Sequence, residues 1–520
     1  MFVQRLATLA FISFVTGCAG TAPVAKTAQP PALDNEPEQA AVKPAEAHPA
    51  APEPAKVPEP PAECRAYVER VPQNCAGNAR EGLALALAEK DGDKRDALLV
   101  CLEKDKAFAA GLVRALRADL GPEACADAIV EPALSAEAGI ADDQANVLRG
   151  LAFAGKLARL AQSPPKLAPP LDKPRFQEFF DKELKPWVVG QAAAIGELSQ
   201  ASARLTGYGK AIAAIAAGTA DLRFVDMVRE VPLPDEMKND KELRDTYYGA
   251  LDEALEPRKQ RGRDAVLVGL RLLSHFGVVN DPRIGKARSL LAKLYSGSHV
   301  DALDQLLLPA LPPAKPNKPN ERLAAGLPSY YAATVLADVD PSDPELLRAF
   351  IERGLPPELR KKLDQQKLPA KAQKLYARAL VELGKVYFRA AEFKRVTELL
   401  GPKPQDEEAE LLFGVSTVLA AGPADITDLM FKGAQFSNFG SSAELDGVAK
   451  SKKRLAGQAA FNGAYLLELA PRRDDPKFWE GLAVRYGAAT KLLVDPAQKK
   501  LAAEYEKAAV STAKALRSSP

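Results

Sequence analysis

The sequence predicts an all-α fold. From Cys64 onward, apolar residues recur at spacings of three and four, as on one face of an α-helix, and strict alternation of apolar and polar residues is rare. Gly, Pro and Asp interrupt these stretches where helices are expected to end and begin. We therefore expect a body built from helices, with no strand required anywhere.

The bulk composition narrows the function before any motif is considered. The 520 residues are enough for several hydrophobic cores. The 70 basic and 68 acidic residues leave a formal charge of only +2, which argues against a dedicated nucleic-acid-binding protein. Because only three His are present, we expect no His-based metal site, and the sequence suggests no other metal and no cofactor.

Residues 1–17 have the layout of a secretory signal peptide. Arg5 precedes an apolar run at 6–14 that is too short to span a bilayer. The next four residues, 15–18 (VTGC), resemble the lipobox of bacterial lipoproteins, in which a peptidase cuts before a Cys whose thiol has been acylated. The resemblance implies that Cys18 is the lipid-attachment site and the mature N-terminus.

The segment 18–62 begins with this Cys and continues as an Ala/Pro-rich linker. It contains eleven Pro between Pro23 and Pro61 and no aromatic residue, so it cannot bury enough apolar surface to offset the cost of ordering. We expect a disordered tether. The residue after Cys18 is Ala19 and not Asp. By resemblance to the sorting pattern of enteric lipoproteins, in which Asp at this position signals retention in the inner membrane, Ala19 implies the outer membrane. The body is then expected in the periplasm, with exposure at the cell surface left open.

Four further Cys lie close together in the chain after the tether. An even number of Cys in an exported protein indicates two disulfides. Four Cys allow three pairings, and proximity in sequence favours the first with the second and the third with the fourth. The candidates are Cys64, Cys75, Cys101 and Cys125.

Two proline-rich breaks divide the helical body into three regions. The first break runs through 164–174 and the second spans 309–319. They separate a Cys-containing helical region at 63–163, a middle helical region at 172–308 and a C-terminal region at 320–520. An aromatic stripe at helical spacing begins the middle region, and we expect it to be core. Its members are Phe176, Phe179, Phe180 and Leu184.

A basic sequence at 258–263 (RKQRGR) stands between two stretches that are expected to form paired helices, 240–255 and 264–276. We interpret it as a turn. Its charges could meet an anionic lipid headgroup or polymer, or they could simply be solvated at a helix end.

The C-terminal region contains the most informative pattern. Its residues are Leu383, Gly384, Tyr387, Phe393, Phe413 and Gly414. They resemble the tetratricopeptide repeat (TPR), in which a small Gly lets one helix pack on the next and aromatic side chains fill the seam. The resemblance implies an irregular α-solenoid of stacked helical hairpins, TPR-like toward the C-terminus, with a long groove suited to the helix or tail of a protein partner. An irregular helical body without such a groove is the alternative.

The sequence contains none of the familiar catalytic motifs. It lacks a phosphate-binding GxxxxGK[ST] loop, HExxH, GxSxG and the ligand order of a calcium loop, and it has no Glu-Ser dipeptide of the kind found in lytic transglycosylases. We therefore expect a non-enzymatic, lipid-anchored scaffold or adaptor that binds partner proteins of a periplasmic or outer-membrane assembly, with motility or secretion machinery favoured. Two alternatives stay open, a peptidoglycan-binding lipoprotein and an enzyme of unrecognised type.

Overall fold

A computed structural model describes residues 53–518 except 74, 76, 137–138, 312, 433–435, 437–442, 452 and 471–473. The signal peptide, Cys18 and the linker as far as residue 52 lie outside the described residues. Within these limits the prediction of an all-α fold is confirmed, because the described residues form helices and no strand. One isolated antiparallel bridge joins Val278 and Gly354.

Helices occur along the whole described chain from Cys64 onward. The first six are α1 (Cys64–Val68), α2 (Ala79–Ala88), α3 (Gly92–Val100), α4 (Leu112–Leu120), α5 (Ala126–Ala136) and α6 (Asp142–Arg159). The next six are α7 (Lys173–Phe179), α8 (Lys185–Ser202), α9 (Gly207–Arg229), α10 (Asp235–Asn239), α11 (Lys241–His275) and α12 (Pro282–Leu294). A π-helical turn, Phe180–Leu184, connects α7 to α8.

The remaining helices follow the second proline-rich break. They are α13 (Pro319–Gly326), α14 (Ser329–Val335), α15 (Pro344–Arg353), α16 (Pro357–Asp364), α17 (Ala370–Tyr387) and α18 (Ala390–Leu400). The last six are α19 (Glu407–Leu419), α20 (Ile426–Lys432), α21 (Ala443–Lys450), α22 (Ala456–Glu468), α23 (Pro476–Leu492) and α24 (Pro496–Ser518).

Many of these helices begin at an Asp or Asn whose side chain accepts a hydrogen bond from a backbone N–H of the first turn. Asp91 caps α3, Asp281 caps α12, Asp343 caps α15, Asp406 caps α19 and Asp475 caps α23. A Pro follows the cap directly in α12, α15 and α23, where its missing N–H costs nothing. The Asp and Pro punctuation of the sequence therefore sets these helix starts.

Contacts divide the chain into two compact units. The smaller unit contains 165–193 and 229–257 with the described residues up to 55, and the larger contains 56–164, 194–228 and the chain from 258 onward. Helices from all three regions proposed from the sequence occur in the larger unit. The middle region contributes to both units.

The smaller unit is built on the aromatic stripe. Phe176, Phe179 and Leu184 are buried in one cluster with Leu167 and Val231. Phe180 and Trp187 pack against this cluster, among other partly buried side chains. The prediction that the stripe is core is confirmed.

In the larger unit, neighbouring helices of the C-terminal part pack in chain order. Helix α17 packs on α18, α18 on α19, α19 on α21, α21 on α22, α22 on α23 and α23 on α24. Helix α13 also packs on α2 of the Cys-containing region. The C-terminal region is thus joined to the beginning of the body within one unit.

The basic sequence at 258–263 is not a turn, and that prediction was wrong. It lies inside α11, which continues without a break from Lys241 to His275. Arg258 and Arg261 both donate to the buried carboxylate of Asp221 on α9, at 2.9 and 2.6 Å from its Oδ1. The guanidinium of Arg263 lies over the ring of Tyr295. Because these contacts neutralise or cover the charges, the charges need no solvated turn and the helix continues.

The end of the linker also differs from the expectation of disorder up to residue 62. The Nε of Arg159 donates to the carbonyl of Pro58 at 2.7 Å, and the N–H of Ala55 donates to the carbonyl of Gly190 at 2.9 Å. A proline-rich segment has no N–H at each Pro, but its carbonyls remain acceptors. The last part of the expected tether is therefore held by specific hydrogen bonds.

Candidate binding cleft

Three short helices of the Cys-containing region bring side chains to one cleft. On α3, Gly92, Arg95, Asp96 and Leu99 fall on one face because they are spaced by three and four residues. Helix α4 contributes its last turn and the residues that follow it. The complete lining is Tyr67, Gly92, Arg95, Asp96, Leu99, Arg117, Leu120, Gly121 and Pro122, and we call this the disulfide-framed cleft. Its volume is about 320 Å³.

The two disulfides connect the walls of this cleft. Cys64 bonds to Cys125, and Cys75 bonds to Cys101. The pairing favoured by proximity in sequence is therefore wrong, although all four Cys do form disulfides. Cys that are close in sequence are not close in space here. Cys64 packs beside the turn after α4, which contains Cys125, and not beside Cys75.

Each disulfide fixes a different pair of walls. Cys64 lies one turn before Tyr67 on α1, and its partner follows Pro122 by three residues, so this bond joins the α1 wall to the turn after α4. Cys101 directly follows α3, so the second bond joins the chain after α1 to the helix that bears Arg95. Because α1 has only five residues and buries only Cys64, the bond Cys64–Cys125 rather than an apolar core holds it in place.

A buried ion network supports the floor of the cleft. The Nε of Arg117 donates to Asp96 Oδ1 at 2.7 Å, and its Nη2 donates to Oδ2 at 3.0 Å. Arg70, just after α1, donates to the same Oδ2 at 3.2 Å. Glu103 pairs with Arg117 and with Arg114. Burial by itself would lower the pKa of Arg117, but its bonds to Asp96 and Glu103 raise that pKa above its ordinary value.

Arg95 also lines the cleft, but it takes no part in this ion network. Among the described residues it forms no ion pair, and its guanidinium makes one long hydrogen bond, 3.4 Å from Nη2 to the carbonyl of Leu120. The lining contains two Arg and one Asp, and that Asp is bound by Arg117 and Arg70. The lining therefore carries one positive charge in excess.

Tyr67 of α1 contributes a neutral group to the lining. Burial raises the pKa of its hydroxyl above the ordinary value, and the carboxylates of Asp93 and Asp96 raise it further. The guanidinium of Arg70 lies 5.1 Å from the centroid of its ring. Arg117 Nη2 also donates to the Tyr67 carbonyl at 2.8 Å, which ties this wall to the floor.

A second charged cluster includes Asp119 of α4 and is enclosed. Arg283 reaches Asp119 Oδ1 at 2.7 Å from its Nη2 and donates from its Nε to Asp281 Oδ1 at 2.9 Å. The hydroxyl of Tyr208 donates to Asp119 at 3.4 Å, and burial raises the pKa of that hydroxyl. A neighbouring cavity lined by Arg283 measures about 20 Å³, the size of a single water. We interpret this cluster as a clamp between α4, α9 and α12.

The residues that carry the TPR resemblance lie together in α17, α18 and α19. Leu383, Tyr387 and Phe393 are buried, and Phe413 is half-buried. A Cβ on Gly384 would lie 2.8 Å from Phe393, and one on Gly414 would lie 3.1 Å from Leu445 of α21. The glycines thus stand at close contacts between packed helices. Whether the helices form true TPR units stays a prediction.

The cleft was not predicted from the sequence. Cys18, the principal site residue predicted from it, lies outside the described residues, and the four other Cys were expected only to staple helices. The signal in the sequence that could have indicated the cleft is Arg117, a charged residue one position after the apolar Leu116 in an amphipathic helix. A buried charge needs partners, so such a residue indicates an ion network nearby.

No protein-family model matches the chain, and no curated protein or solved structure is significantly similar to it. Among the described residues, no group of three or more His, Cys, Asp or Glu is placed to hold a metal ion. None of the described helices combines the length and apolarity needed to cross a membrane. The assignment of function therefore rests on the chain's own residues.

Proposed function

We propose that this protein is a non-enzymatic scaffold or adaptor, anchored by a lipid on Cys18 to the outer membrane, whose helical body binds partner proteins in the periplasm. The observation that carries the proposal is the succession of helix contacts from α17 to α24. Helices that pack mainly on their neighbours in the chain leave much of their surface for other proteins. An assembly for motility or secretion remains the favoured setting, because the chain is long and tethered.

The surface of the last helix pair supports the same proposal. Val484 on α23 is 73% exposed, Val494 in the turn before α24 is 80% exposed and Val510 on α24 is 54% exposed. The end of a stack of helices normally presents a polar face, because nothing further covers it. Exposed aliphatic side chains at this position favour a protein contact.

The proposal is tested by crosslinking in intact cells, followed by purification of the protein from the membrane fraction. A scaffold retrieves the same small set of envelope proteins in repeated experiments. We expect the double substitution Val484→Glu and Val494→Glu to remove at least one member of the set. Val71→Glu is the matched control, since Val71 is 66% exposed and lies far from α23 in the chain.

Point variants are preferable to deletion of the C-terminal region. Helix α13 packs on α2, and a Cβ on Gly326 would lie 2.6 Å from Leu87. Removing 320–520 would therefore expose part of the core of the remaining chain. The anchor is tested separately with Cys18→Ser, which should move the protein from the membrane to the soluble fraction. Absence of any reproducible partner, together with sedimentation on purified cell-wall sacculi, would instead favour the peptidoglycan-binding alternative.

A further inference from the structure

We propose that the disulfide-framed cleft binds a small organic carboxylate that carries a compact apolar group, and that Arg95 is the residue that binds the carboxylate. This site does not depend on the lipid anchor or on the C-terminal helices. It therefore goes beyond the proposed scaffold function.

The charge of the lining selects a monoanion. Asp96 has both carboxylate oxygens occupied by Arg117 and Arg70, so it attracts no cation. Arg95 has no carboxylate partner among the described residues, and its planar guanidinium can donate two parallel hydrogen bonds to a carboxylate. A phosphate carries more negative charge than this single excess cation can balance, and Asp96 would repel it.

The walls select an apolar group beside that carboxylate. Leu99 is buried, Leu120 is half-buried and Pro122 is exposed, and all three line the cleft together with Tyr67. A cleft of about 320 Å³ lies at the lower end of the range of small-molecule sites, roughly 300 to 1,000 Å³. It has room for one amino-acid-sized ligand.

The architecture keeps this cleft preformed. The bond Cys64–Cys125 and the bond Cys75–Cys101 join its walls, and Arg117 ties the Tyr67 carbonyl to the floor. Walls that are fixed before binding lose little conformational entropy when the ligand enters. Helix α1 buries only Cys64, so the bond Cys64–Cys125 and the hydrogen bond from Arg117 to the Tyr67 carbonyl fix this wall.

The carboxylate can come from a free metabolite or from the last residue of a polypeptide. The test uses purified full-length protein in detergent and isothermal titration with N-acetyl-leucine, N-acetyl-leucinamide and a short peptide that ends in a free Leu carboxylate. We expect one saturable site for N-acetyl-leucine and no binding of the amide. Tighter binding of the peptide than of N-acetyl-leucine assigns the site to a polypeptide end, and equal binding assigns it to a free acid.

The variants isolate the role of Arg95. Arg95→Gln should weaken binding of N-acetyl-leucine by about tenfold or more, because the ligand loses a charge-assisted hydrogen bond. Arg65→Gln is the matched control, since Arg65 lies on α1 with an 80% exposed side chain outside the cleft lining and should bind as the wild type does. Leu120→Glu, which puts a negative charge on the wall, should weaken binding without removing Arg95.

Three results would overturn the proposal. They are equal binding of the amide, unchanged binding of N-acetyl-leucine by either folded variant, Arg95→Gln or Leu120→Glu, and the absence of any saturable site in wild-type protein with both disulfides intact. Far-ultraviolet circular dichroism identifies a variant that has lost its fold, and the other variant then decides the outcome. Because the titration contains no partner protein, its failure is distinguishable from failure of the scaffold proposal.

Discussion

Gly384 of α17 stands directly against the ring of Phe393 of α18, so that a Cβ on Gly384 would lie 2.8 Å from Cζ and 2.9 Å from Cε1 of the ring. Both residues are buried. Real side chains do not approach this closely, so Gly at this position is a condition for the two helices to pack as they do.

Gly384→Ala should therefore destabilise the protein by about 1 to 3 kcal/mol, because the added methyl group forces the ring or the helix to move. Gly481 on α23 provides the matched control, since a methyl group added there would have no neighbouring atom within 4 Å. Gly481→Ala should stabilise the helix by roughly 0.5 to 1 kcal/mol. The midpoints of urea unfolding measure both changes, and equal effects of the two substitutions would contradict the close contact.

The disulfide pairing can be read from tryptic peptides without reduction. Cleavage after Lys and Arg places the four Cys on four different peptides, 57–65, 71–80, 96–104 and 118–149. We expect 57–65 linked to 118–149 and 71–80 linked to 96–104, in agreement with the bonds Cys64–Cys125 and Cys75–Cys101. A mass spectrum that shows 57–65 linked to 71–80 would support the pairing by sequence proximity instead.

The two disulfides should differ in their accessibility to a reducing agent. Cys64 and Cys125 are 1% and 0% exposed, whereas Cys75 is exposed and Cys101 half-buried. A thiol reagent must reach a sulfur to attack it, so the bond Cys75–Cys101 should be reduced first in the native protein. Alkylation with time, followed by mass spectrometry, gives the order. Adding urea should abolish the difference, which serves as the internal control.

The N-cap of α19 should give a pH-dependent contribution to stability. Burial by itself would raise the pKa of Asp406, but its bonds to the Ala409 N–H and to Lys374 lower it below the ordinary value of 3.8. A carboxyl with a lowered pKa in the folded state stabilises the fold above its unfolded pKa, and this contribution is lost as the pH falls through the folded value.

Asp406→Ala should therefore cost about 1 kcal/mol near neutral pH and less as the pH falls below about 3.8. Asp406→Asn keeps a capping oxygen but loses the charge, so any stability it retains should be independent of pH in this range. Urea unfolding followed by circular dichroism over this range of pH measures both variants. A cost for Asp406→Ala that does not change with pH would exclude the charged cap.

Several features follow from local sequence alone. The spacing of apolar residues predicts helices from Cys64 onward, and the Asp-Pro steps at Asp281, Asp343 and Asp475 set helix starts because capping and the fixed φ of Pro are local effects. The stripe that contains Phe176 and Phe179 identifies a core because apolar side chains at helical spacing lie on one face of a helix. The presence of disulfides follows from the even number of Cys after the linker.

The tertiary structure alone decides which of these elements meet. It pairs Cys64 with Cys125 across 61 residues, brings Asp221 beside Arg258 so that the basic sequence stays helical, and assembles the cleft from three helices. Distances along the chain do not specify such partners, because the free energy of a buried ion pair or of a close helix contact depends on groups that are far apart in sequence. The chain therefore determines its helices residue by residue, and only their packing determines its site.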